Sequence, residues 1–364
     1  MNVLDTMTHI KPFFAPFFSF QYRIDTPDFP DSFPDSAYYN TGKLDICYVV
    51  ACIAVMAILR DAFRLGVFEP FARWKLTRDL NAKKKRNLSQ KSNGVANGNG
   101  HVANGNGHSS VNGHSNGETV ASHKKELRQL HRSVLRFAEQ GWSVVYYTLQ
   151  WSFGLYLHLN LPTRIFDPTA LWQDYPHIPL AGPVKFYYLT QSAFYLHQVL
   201  ILNAEARRKD HVQMMTHHVI TIVLIGISYF SNFTRVGCLI MFLMDWCDIF
   251  LPLAKMLRYI NYQTTCDLTF AWFLVSWFVT RHFLFVFAIK STIMDCPVFI
   301  PFDWAPERGY YLTQQSHLLF CVLLVSLQIL QIIWFWMICR VAWRVVNGSG
   351  AADERSDDEV EKDE

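Results

Sequence analysis

Two pairs of ionisable residues interrupt otherwise apolar stretches of the chain. His217 and His218 begin the run HHVITIVLIGISYF, and Asp245 and Asp248 lie within GCLIMFLMDWCDIFLPLAK. The two aspartates are three residues apart, so on a helix they share one face. An aspartate at the centre of a membrane helix costs about 2.5–3.5 kcal/mol on insertion scales. Packing alone does not explain two aspartates opposite two histidines.

Counting along the chain places both pairs at the same depth. The histidines follow the basic cluster 207–209, and the aspartates precede Lys255. At 1.5 Å per residue, both pairs then lie roughly 10–15 Å from the basic end of their helices. The short segment SNFT joins the two helices and makes them antiparallel neighbours. The sequence therefore predicts one centre of histidines and aspartates inside a membrane.

Such a centre is suited to acid–base or nucleophilic chemistry. An aspartate that holds an imidazole raises its basicity and fixes its tautomer. The histidine can then deprotonate an amine or hydroxyl, or attack a thioester carbonyl itself. The alternative is a structural polar clamp between two helices.

A metal site is a further alternative, and we do not expect one. The histidines inside or near the apolar runs are too few and too scattered for the paired irons of membrane desaturases. A single zinc held by His217, His218 and an aspartate is conceivable. Adjacent helical residues point about 100° apart, however, which makes it difficult for both histidines to bind one ion.

The elements that must position these residues are membrane helices. The chain has 364 residues, of which 51% are hydrophobic, 15% aromatic and only 17% charged, as is typical of a polytopic membrane protein. The apolar runs are too long for strands and lack alternation. A spanning helix needs about 20 apolar residues. The predicted fold is therefore all-α, with seven spans near 44–66, 139–159, 184–203, 211–230, 236–257, 267–290 and 313–341.

The basic residues set the expected orientation. With seven spans, most of the 33 lysines and arginines fall on the side of the C-terminus. The positive-inside rule then predicts a cytosolic C-terminus and a lumenal N-terminus.

Further polar and aromatic residues are candidates for substrate binding. Arg281 and His282 lie inside the sixth predicted span, and a buried arginine needs a partner, for which Asp245 or Asp248 is the natural candidate. Trp277 precedes them, and packing is its alternative role. The basic cluster before the histidines would suit an anionic substrate head but could equally anchor the helix. It comprises Arg207, Arg208 and Lys209.

The region around the two pairs resembles the signature of ceramide synthases in the TLC-domain family, and it is most similar to the fungal branch. The family pattern has a basic RRKD lead-in, a helix with HH, a short turn, an RxG helix start and a DxxD pair followed by AK. Every element is matched in EARRKDHVQMMTHHVITIVLIGISYFSNFTRVGCLIMFLMDWCDIFLPLAKML. The resemblance extends over 44–70 and 134–345. The short N-terminal region and the Gly/Asn linker depart from the family.

The resemblance implies a helical barrel or bundle that encloses a lipid cavity. It also implies N-acylation of a sphingoid base by fatty acyl-CoA at the endoplasmic reticulum membrane. No cofactor is implied besides the acyl-CoA donor, and no nucleic acid. Homo- or hetero-oligomers with a small accessory membrane subunit are known in the family. A lipid-binding or transport protein, or a weakly active paralogue that confers resistance to a sphinganine-analogue toxin, is the alternative.

The implied mechanism has two versions. In the first, a histidine, expected to be His217, attacks the thioester and carries the acyl group as an acyl-imidazole. In the second, a histidine–aspartate pair only deprotonates the amine for direct attack. His217, His218, Asp245 and Asp248 are the catalytic candidates in both versions.

Composition and resemblance together divide the chain into five parts. The predicted parts are a lumenal segment 1–43, a first transmembrane helix 44–70, a cytosolic basic and low-complexity Gly/Asn/His linker 71–133, a TLC catalytic domain 134–345 with six transmembrane helices, and an acidic disordered cytosolic tail 346–364.

Overall fold

The computed structural model describes residues 14–28, 30, 32–96, 114–164, 166–204 and 210–347. Helices dominate this part of the chain. The α-helices are α1 (Ala15–Phe18), α2 (Asp45–Phe63), α3 (Glu69–Ala96), α4 (His114–Asn160), α5 (Gly182–Ala204), α6 (His211–Phe230), α7 (Thr234–Tyr259), α8 (Gln263–Trp277), α9 (Phe285–Met294), α10 (Cys296–Phe299) and α11 (Gln314–Val346).

Short irregular elements connect these helices. Two π-helical segments, Arg64–Phe68 and Phe278–Leu284, join α2 to α3 and α8 to α9. Two 3-10 turns cover Pro168–Leu171 and Pro306–Arg308. The strands are β1 (Arg23–Ile24), β2 (Tyr38–Tyr39), β3 (Leu180–Ala181), β4 (Asp303–Ala305) and β5 (Tyr310–Leu312). All five strands pair antiparallel, β1, β2 and β3 in one sheet and β4 with β5 in another.

The predicted all-α membrane fold is confirmed, whereas the count of seven spans stays a prediction. Within the described residues, five helical stretches are long and apolar enough to cross a membrane: Asp45–Asn87, His211–Phe230, Thr234–Tyr259, Gln263–Phe299 and Gln314–Val346. The other two predicted spans, 139–159 and 184–203, are helical but less apolar. In α5 the lower hydropathy comes from polar residues such as Lys185, Gln191 and His197. Their side chains are buried inside the protein.

An apolar stripe on α11 shows which side of the bundle faces lipid. Its exposed members recur every three or four residues, at Leu318, Val322, Val325, Ile329, Ile332 and Trp336. The opposite face carries the buried residues Leu324, Leu327, Gln331, Trp334 and Ile338. An exposed apolar stripe of this length is typical of a helix that contacts hydrocarbon.

The described residues divide into two compact units, of which the first contains the candidate site. It comprises the described parts of Met1–Leu59, Val145–Leu251 and Phe270–Glu364. One of its apolar clusters joins Trp172, Phe233, Leu239, Cys296 and Leu312. Two further clusters centre on Met244 with Phe285 and on Cys247 with Trp277 and Trp334.

The second unit comprises the described parts of Arg60–Val144 and Pro252–Thr269. Its core joins Ala72, Leu76, Val134, Phe137 and Met256. The predicted linker 71–133 differs from the structure, since its described residues lie in α3 and α4. Buried apolar residues such as Leu76 explain this, because they give a basic helix an inner face. The repeats within 97–113 lie outside the described residues.

A buried ion pair ties the segment before α2 to the helices of the first unit. Lys185 Nζ lies 2.8 Å from Asp45 Oδ1, and neither side chain is more than 3% exposed. Lys185 also donates to the carbonyls of Gln21 and Asn40, at 3.2 and 2.8 Å. Tyr229 donates to Asp45 Oδ2 at 2.7 Å. The mutual attraction of the lysine and the aspartate and these additional hydrogen bonds offset the cost of burying the two charges.

Candidate active site

The turn between α6 and α7 makes these helices antiparallel neighbours. The backbone N–H of Phe233 donates to Ser228 O at 2.9 Å. Asn232 adopts a positive φ of 64°, which asparagine tolerates better than most residues. Its side-chain amide donates to Gly309 O at 3.0 Å. This turn sets the register between the histidine helix and the aspartate helix.

The start of α7 is fixed by Arg235 and Gly237. Arg235 donates to Ala170 O at 2.8 Å and to Gln173 O at 3.1 Å. The hydroxyl of Tyr188 on α5 occupies the place where a side chain at position 237 would begin. Only glycine lets α5 approach α7 this closely. The RxG motif therefore positions the aspartate helix.

Asp245 is completely buried and is held by α5. Gln191 Nε2 donates to Asp245 Oδ2 at 2.6 Å, and Tyr146 donates to Gln191 Oε1 at 3.4 Å. Asp245 Oδ1 has no hydrogen-bond partner among the described residues. One carboxylate oxygen is therefore positioned while the other is left available.

Asp248 forms an ion pair with Arg281. Arg281 Nη2 lies 2.7 Å from Asp248 Oδ1 and also donates to Met244 O at 3.0 Å. The Trp277 ring lies 4.2 Å from the guanidinium carbon, a cation–π contact. Of the two partners expected for Arg281, the structure selects Asp248. The π-helical segment around Arg281 widens the helix there, as is frequent at functional sites.

His217 and His218 lie side by side on α6. Their ring centroids are 5.4 Å apart, and Tyr195 meets both rings edge-on at 6.4 and 5.8 Å. The indole of Trp334 lies 5.3 Å from the His217 ring. Within the described part of the chain, neither imidazole Nδ1 has a hydrogen-bond partner. No aspartate therefore orients either ring through Nδ1.

Helix α5 contacts both Asp245 and the two histidines. Gln191 binds Asp245, and Tyr195, one turn further along α5, contacts both histidines. Residues four apart on a helix lie on the same face, about 6 Å along the axis. These contacts put Asp245 and the two histidines about one helical turn apart along α5, and their common depth in a membrane stays a prediction.

A largely apolar cavity adjoins His217. It encloses about 820 Å³ of space between side chains, including the open space at its mouth. His217, Thr221 and Gln331 line it near the centre, and Trp172, Cys296 and Leu312 line it near the α6–α7 turn. Most of the remaining wall is aliphatic or aromatic. Among the four catalytic candidates, His217 is the residue whose side chain lines this cavity.

The structure places the substrate-binding candidates in different surroundings. Trp277 belongs to the centre, through Arg281 and through Trp334 at 6.5 Å. His282 Nδ1 instead lies 2.9 Å from Gln328 Nε2, and its ring contacts Phe335. Arg207, Arg208 and Lys209 lie outside the described residues. The substrate-binding roles of these residues and of Arg281 stay predictions.

Sequence reasoning missed Gln191, Tyr195 and Gln331. The signal for the two glutamines was available, since both interrupt apolar runs, in YYLTQSAFYL and SLQILQIIWF. An amide costs less to bury than a carboxylate, so its presence in a span is a weaker sign of function. For metal ions, no group of three or more potential ligands occurs among the described residues.

Comparison with known proteins identifies a family. The family model described as TLC domain matches residues 136–340. Sphingosine N-acyltransferase lag1 of Schizosaccharomyces pombe is 40% identical over 64% of this chain and 59% of its own length. Ceramide Synthase FUM18 of Gibberella moniliformis is 32% identical over 91% of this chain and 71% of its own length.

A third relative has the same character. Sphingosine N-acyltransferase-like protein ALT7 of Alternaria alternata is 36% identical over 63% of this chain and 60% of its own length. The chain thus spans 59% to 71% of the length of these three relatives. The matched region 136–340 contains α5 to α9 and with them the histidine and aspartate pairs. The chain therefore belongs to the TLC-domain family, among relatives named as ceramide synthases and sphingosine N-acyltransferases.

Proposed function

We propose that the chain is an acyl-CoA-dependent sphingosine N-acyltransferase, a ceramide synthase. It would transfer a fatty acyl group to the amino group of a sphingoid base. One observation carries the proposal: His217 lines an apolar cavity, and helix α5, which contacts the His217 ring through Tyr195, also holds the buried Asp245 through Gln191. The names of the relatives at 32% to 40% identity support it.

His217 is the nucleophile in this proposal, because its side chain lines the cavity. A ring nitrogen attacks the thioester carbonyl, a carbon–nitrogen bond forms and the carbon–sulfur bond breaks. Coenzyme A leaves as a thiolate and takes up a proton. The acyl group then stays on the imidazole, with its chain in the cavity.

The sphingoid amine completes the reaction. An amine of pKa about 10 is protonated at pH 7, so a base must remove one proton. His218 and Asp245 are the candidate bases, each with a buried atom that has no partner within the described residues. The amine attacks the acyl carbon, the bond to His217 breaks and the amide is released. Direct attack on the thioester, with the histidine acting only as a base, is the competing version.

Arg281 and Asp248 have a supporting role in the proposal. Their ion pair fixes the guanidinium beside Trp277, where it would polarise a substrate carbonyl or bind a substrate hydroxyl. Binding of substrate by Trp277 and His282 is part of the same proposal.

The proposed location is the endoplasmic reticulum membrane, with a lumenal N-terminus and a cytosolic C-terminus. The distribution of lysine and arginine supports this orientation. The anionic head of acyl-CoA would then approach from the cytosol near Arg207, Arg208 and Lys209. Accessibility of a tag at each terminus to protease in sealed microsomes tests the orientation.

Assembly with other chains is also part of the proposal. Family resemblance supports homo- or hetero-oligomers with a small accessory membrane subunit. Native electrophoresis of the protein purified from its own membranes, with mass spectrometry of each band, tests this.

Mass spectrometry and a transfer assay test the chemistry. Purified protein is incubated with acyl-CoA alone, and the intact mass is measured for the wild type, His217→Ala and His218→Ala. We expect an added acyl mass on the wild type and on His218→Ala, and none on His217→Ala. Turnover without any adduct would favour direct attack. No transfer by the wild type with any acyl-CoA or sphingoid base would overturn the proposed function and favour a lipid-transport role.

A further inference from the structure

The cavity wall contains polar atoms that the protein itself does not satisfy. Ser228, Thr292 and His317 also line the cavity, but each has hydrogen-bond partners in the wall. By contrast, three buried atoms of the lining have none among the described residues: His217 Nδ1, Thr221 Oγ1 and Gln331 Oε1. His217 belongs to the reaction proposed above, which leaves a threonine and a glutamine to explain.

Thr221 differs from four other helical threonines in how its hydroxyl is bonded. Thr190, Thr269, Thr280 and Thr292 each donate their hydroxyl to the carbonyl four residues earlier, at 2.8 to 2.9 Å. This back-bond is the usual way for a threonine to satisfy its hydroxyl inside an apolar helix. Thr221 lacks it, although its hydroxyl is buried in the cavity wall. Its hydroxyl is therefore free to bond a ligand in the cavity.

Gln331 is the stronger observation, because its side chain is completely buried. Its Nε2 lies 3.3 Å from Met244 Sδ, a weak acceptor. Its carbonyl oxygen has no donor among the described residues. A buried amide oxygen without a donor is unfavourable, and native proteins rarely leave one.

The two side chains lie at nearly the same depth in the cavity. His217 and Trp334 are in ring contact, which aligns α6 with α11, and the two helices run antiparallel. Towards the α6–α7 turn, Thr221 lies four residues beyond His217 and Gln331 three residues from Trp334. At 1.5 Å per residue, these steps are about 6 Å and about 4.5 Å. One small polar group at this depth could reach both residues.

A single hydroxyl satisfies both atoms at once. It donates its proton to the carbonyl oxygen of Gln331, which only accepts, and it accepts a proton from the hydroxyl of Thr221. A plain methylene chain satisfies neither. A carbon chain advances roughly 1.3 Å per carbon, given C–C bonds of about 1.5 Å. The level of Thr221 and Gln331 therefore corresponds to about the first four carbons beyond the group held at His217.

We propose that Thr221 and Gln331 form a subsite for a hydroxyl group on the acyl donor, close to its carboxyl end. The preferred donor is then an acyl chain that is hydroxylated at the third or fourth carbon beyond the carbonyl, the γ or δ position. The proposal rests on the proposed function for the placement of the acyl group at His217. The hydroxyls of the sphingoid base do not compete, because the acyl chain already fills the cavity when the amine arrives.

Equilibrium binding tests the subsite without any turnover. Free saturated fatty acids of one length, unsubstituted or hydroxylated at the α, γ, δ or terminal carbon, displace a fluorescent fatty acid from the purified wild type. We expect at least one of the acids hydroxylated near the carboxyl to bind about tenfold tighter than the plain acid. The acid with a terminal hydroxyl should bind more weakly than the plain acid, because the far end of the cavity is apolar.

Matched variants assign the preference to the two residues. Thr221→Val and Gln331→Leu keep the approximate volume and remove the polar atoms, and each should reduce the preference to about twofold or less. Thr221→Ser keeps the hydroxyl and should keep the preference. Leu327→Ile changes an apolar lining residue and should leave the preference unchanged.

The outcomes separate this inference from the proposed function. Equal affinity of the wild type for plain and hydroxylated acids overturns the subsite, and means that ordered water satisfies Thr221 and Gln331. Unaltered preference in both polar variants also overturns it. If binding discriminates while no acyl transfer occurs, the subsite stands and the proposed function fails. If transfer occurs and plain donors are used equally well, the proposed function stands and the subsite fails.

Discussion

At the scale of single residues, a buried carboxylate needs a donor to stay in place. Asp245 receives its hydrogen bond from Gln191, 54 residues earlier in the chain. A hydrogen bond to a charged group contributes more than one between neutral groups, about 1.5–3 kcal/mol against about 1 kcal/mol. The position of Asp245 in the proposed reaction therefore depends on an amide with no chemical role of its own.

Replacing Gln191 with leucine tests this dependence. We expect Gln191→Leu to lower acyl transfer by about tenfold or more and to destabilise the fold by about 1–3 kcal/mol, because it leaves a buried carboxylate unpaired. Gln150→Leu is the matched control, since Gln150 is also buried but donates to a neutral hydroxyl, that of Thr190, at 3.2 Å. Transfer rates and thermal unfolding of both variants provide the readout. Equal effects of the two substitutions would contradict the prediction.

The Arg281–Asp248 pair separates a structural role from a chemical one. Arg281→Met should destabilise the protein by about 2–5 kcal/mol, because Asp248 loses its buried counter-charge. Adding Asp248→Asn should recover much of that stability without restoring acyl transfer. Denaturation and transfer rates are measured on the single and double variants. Recovery of activity together with stability would show that the pair is only structural.

Residue type and position along the predicted spans made His217, Asp245 and Asp248 candidates, but they left the partners of these residues open. Residue counting placed Asp245 and Asp248 equally well opposite Arg281. The choice of Asp248 depends on how α8, the π-helical segment and α9 are rotated around their axes. A π-helical segment changes the angle per residue, and no residue type predicts it.

At the scale of helices, a small residue allows two neighbouring helices to approach each other closely. The Gly237 backbone allows the hydroxyl of Tyr188 to lie between α5 and α7, where Ser228 Oγ is 3.2 Å away. This contact fixes α5, which carries both Gln191 and Tyr195. The geometry of the centre is thus set partly by a glycine two turns from Asp245.

A methyl group added at Gly237 should therefore displace α5 and disturb the geometry of the candidate active site. Gly237→Ala is expected to destabilise the fold by about 1–3 kcal/mol through overpacking and to reduce acyl transfer. Adding Tyr188→Phe to Gly237→Ala removes the clashing hydroxyl. The double variant should recover part of the lost stability and part of the lost acyl transfer. Gly226→Ala is the control, because a side chain there would meet nothing within 4 Å. The prediction is wrong if both glycine variants unfold at the same temperature.

The helix positions could be predicted where an apolar run is clearly bounded by polar residues at both ends. The predicted span 211–230 coincides with α6, and 236–257 lies within α7. For 71–133, the basic and Gly/Asn-rich composition predicted a linker, whereas the described residues of this region lie in α3 and α4. Charged residues on one face of a helix are compatible with an apolar face on the other, as in α3 and α4.

At the scale of the whole molecule, the pair formed by Lys185 and Asp45 joins distant parts of the chain. Lys185→Met should release the segment before α2, since Asp45 would lose its counter-charge and Gln21 and Asn40 their donor. We expect limited proteolysis to cut at Arg23 at least tenfold faster. Lys290→Met, at an exposed lysine, should leave the cleavage rate unchanged. Equal rates in the two variants would show that the ion pair does not hold this segment.

The pairing of β2 with β3 sets an order of events during synthesis. Tyr38 and Tyr39 pair with Ala181 and Leu180, about 140 residues later in the chain. A ribosome adding about 5–20 residues per second needs roughly 7 to 28 seconds to supply that partner. During this interval β2 has no neighbour on that edge and Asp45 has no lysine. The segment before α2 therefore leaves the ribosome before its partners exist. It can reach its final structure only after β3 and α5 have been synthesised.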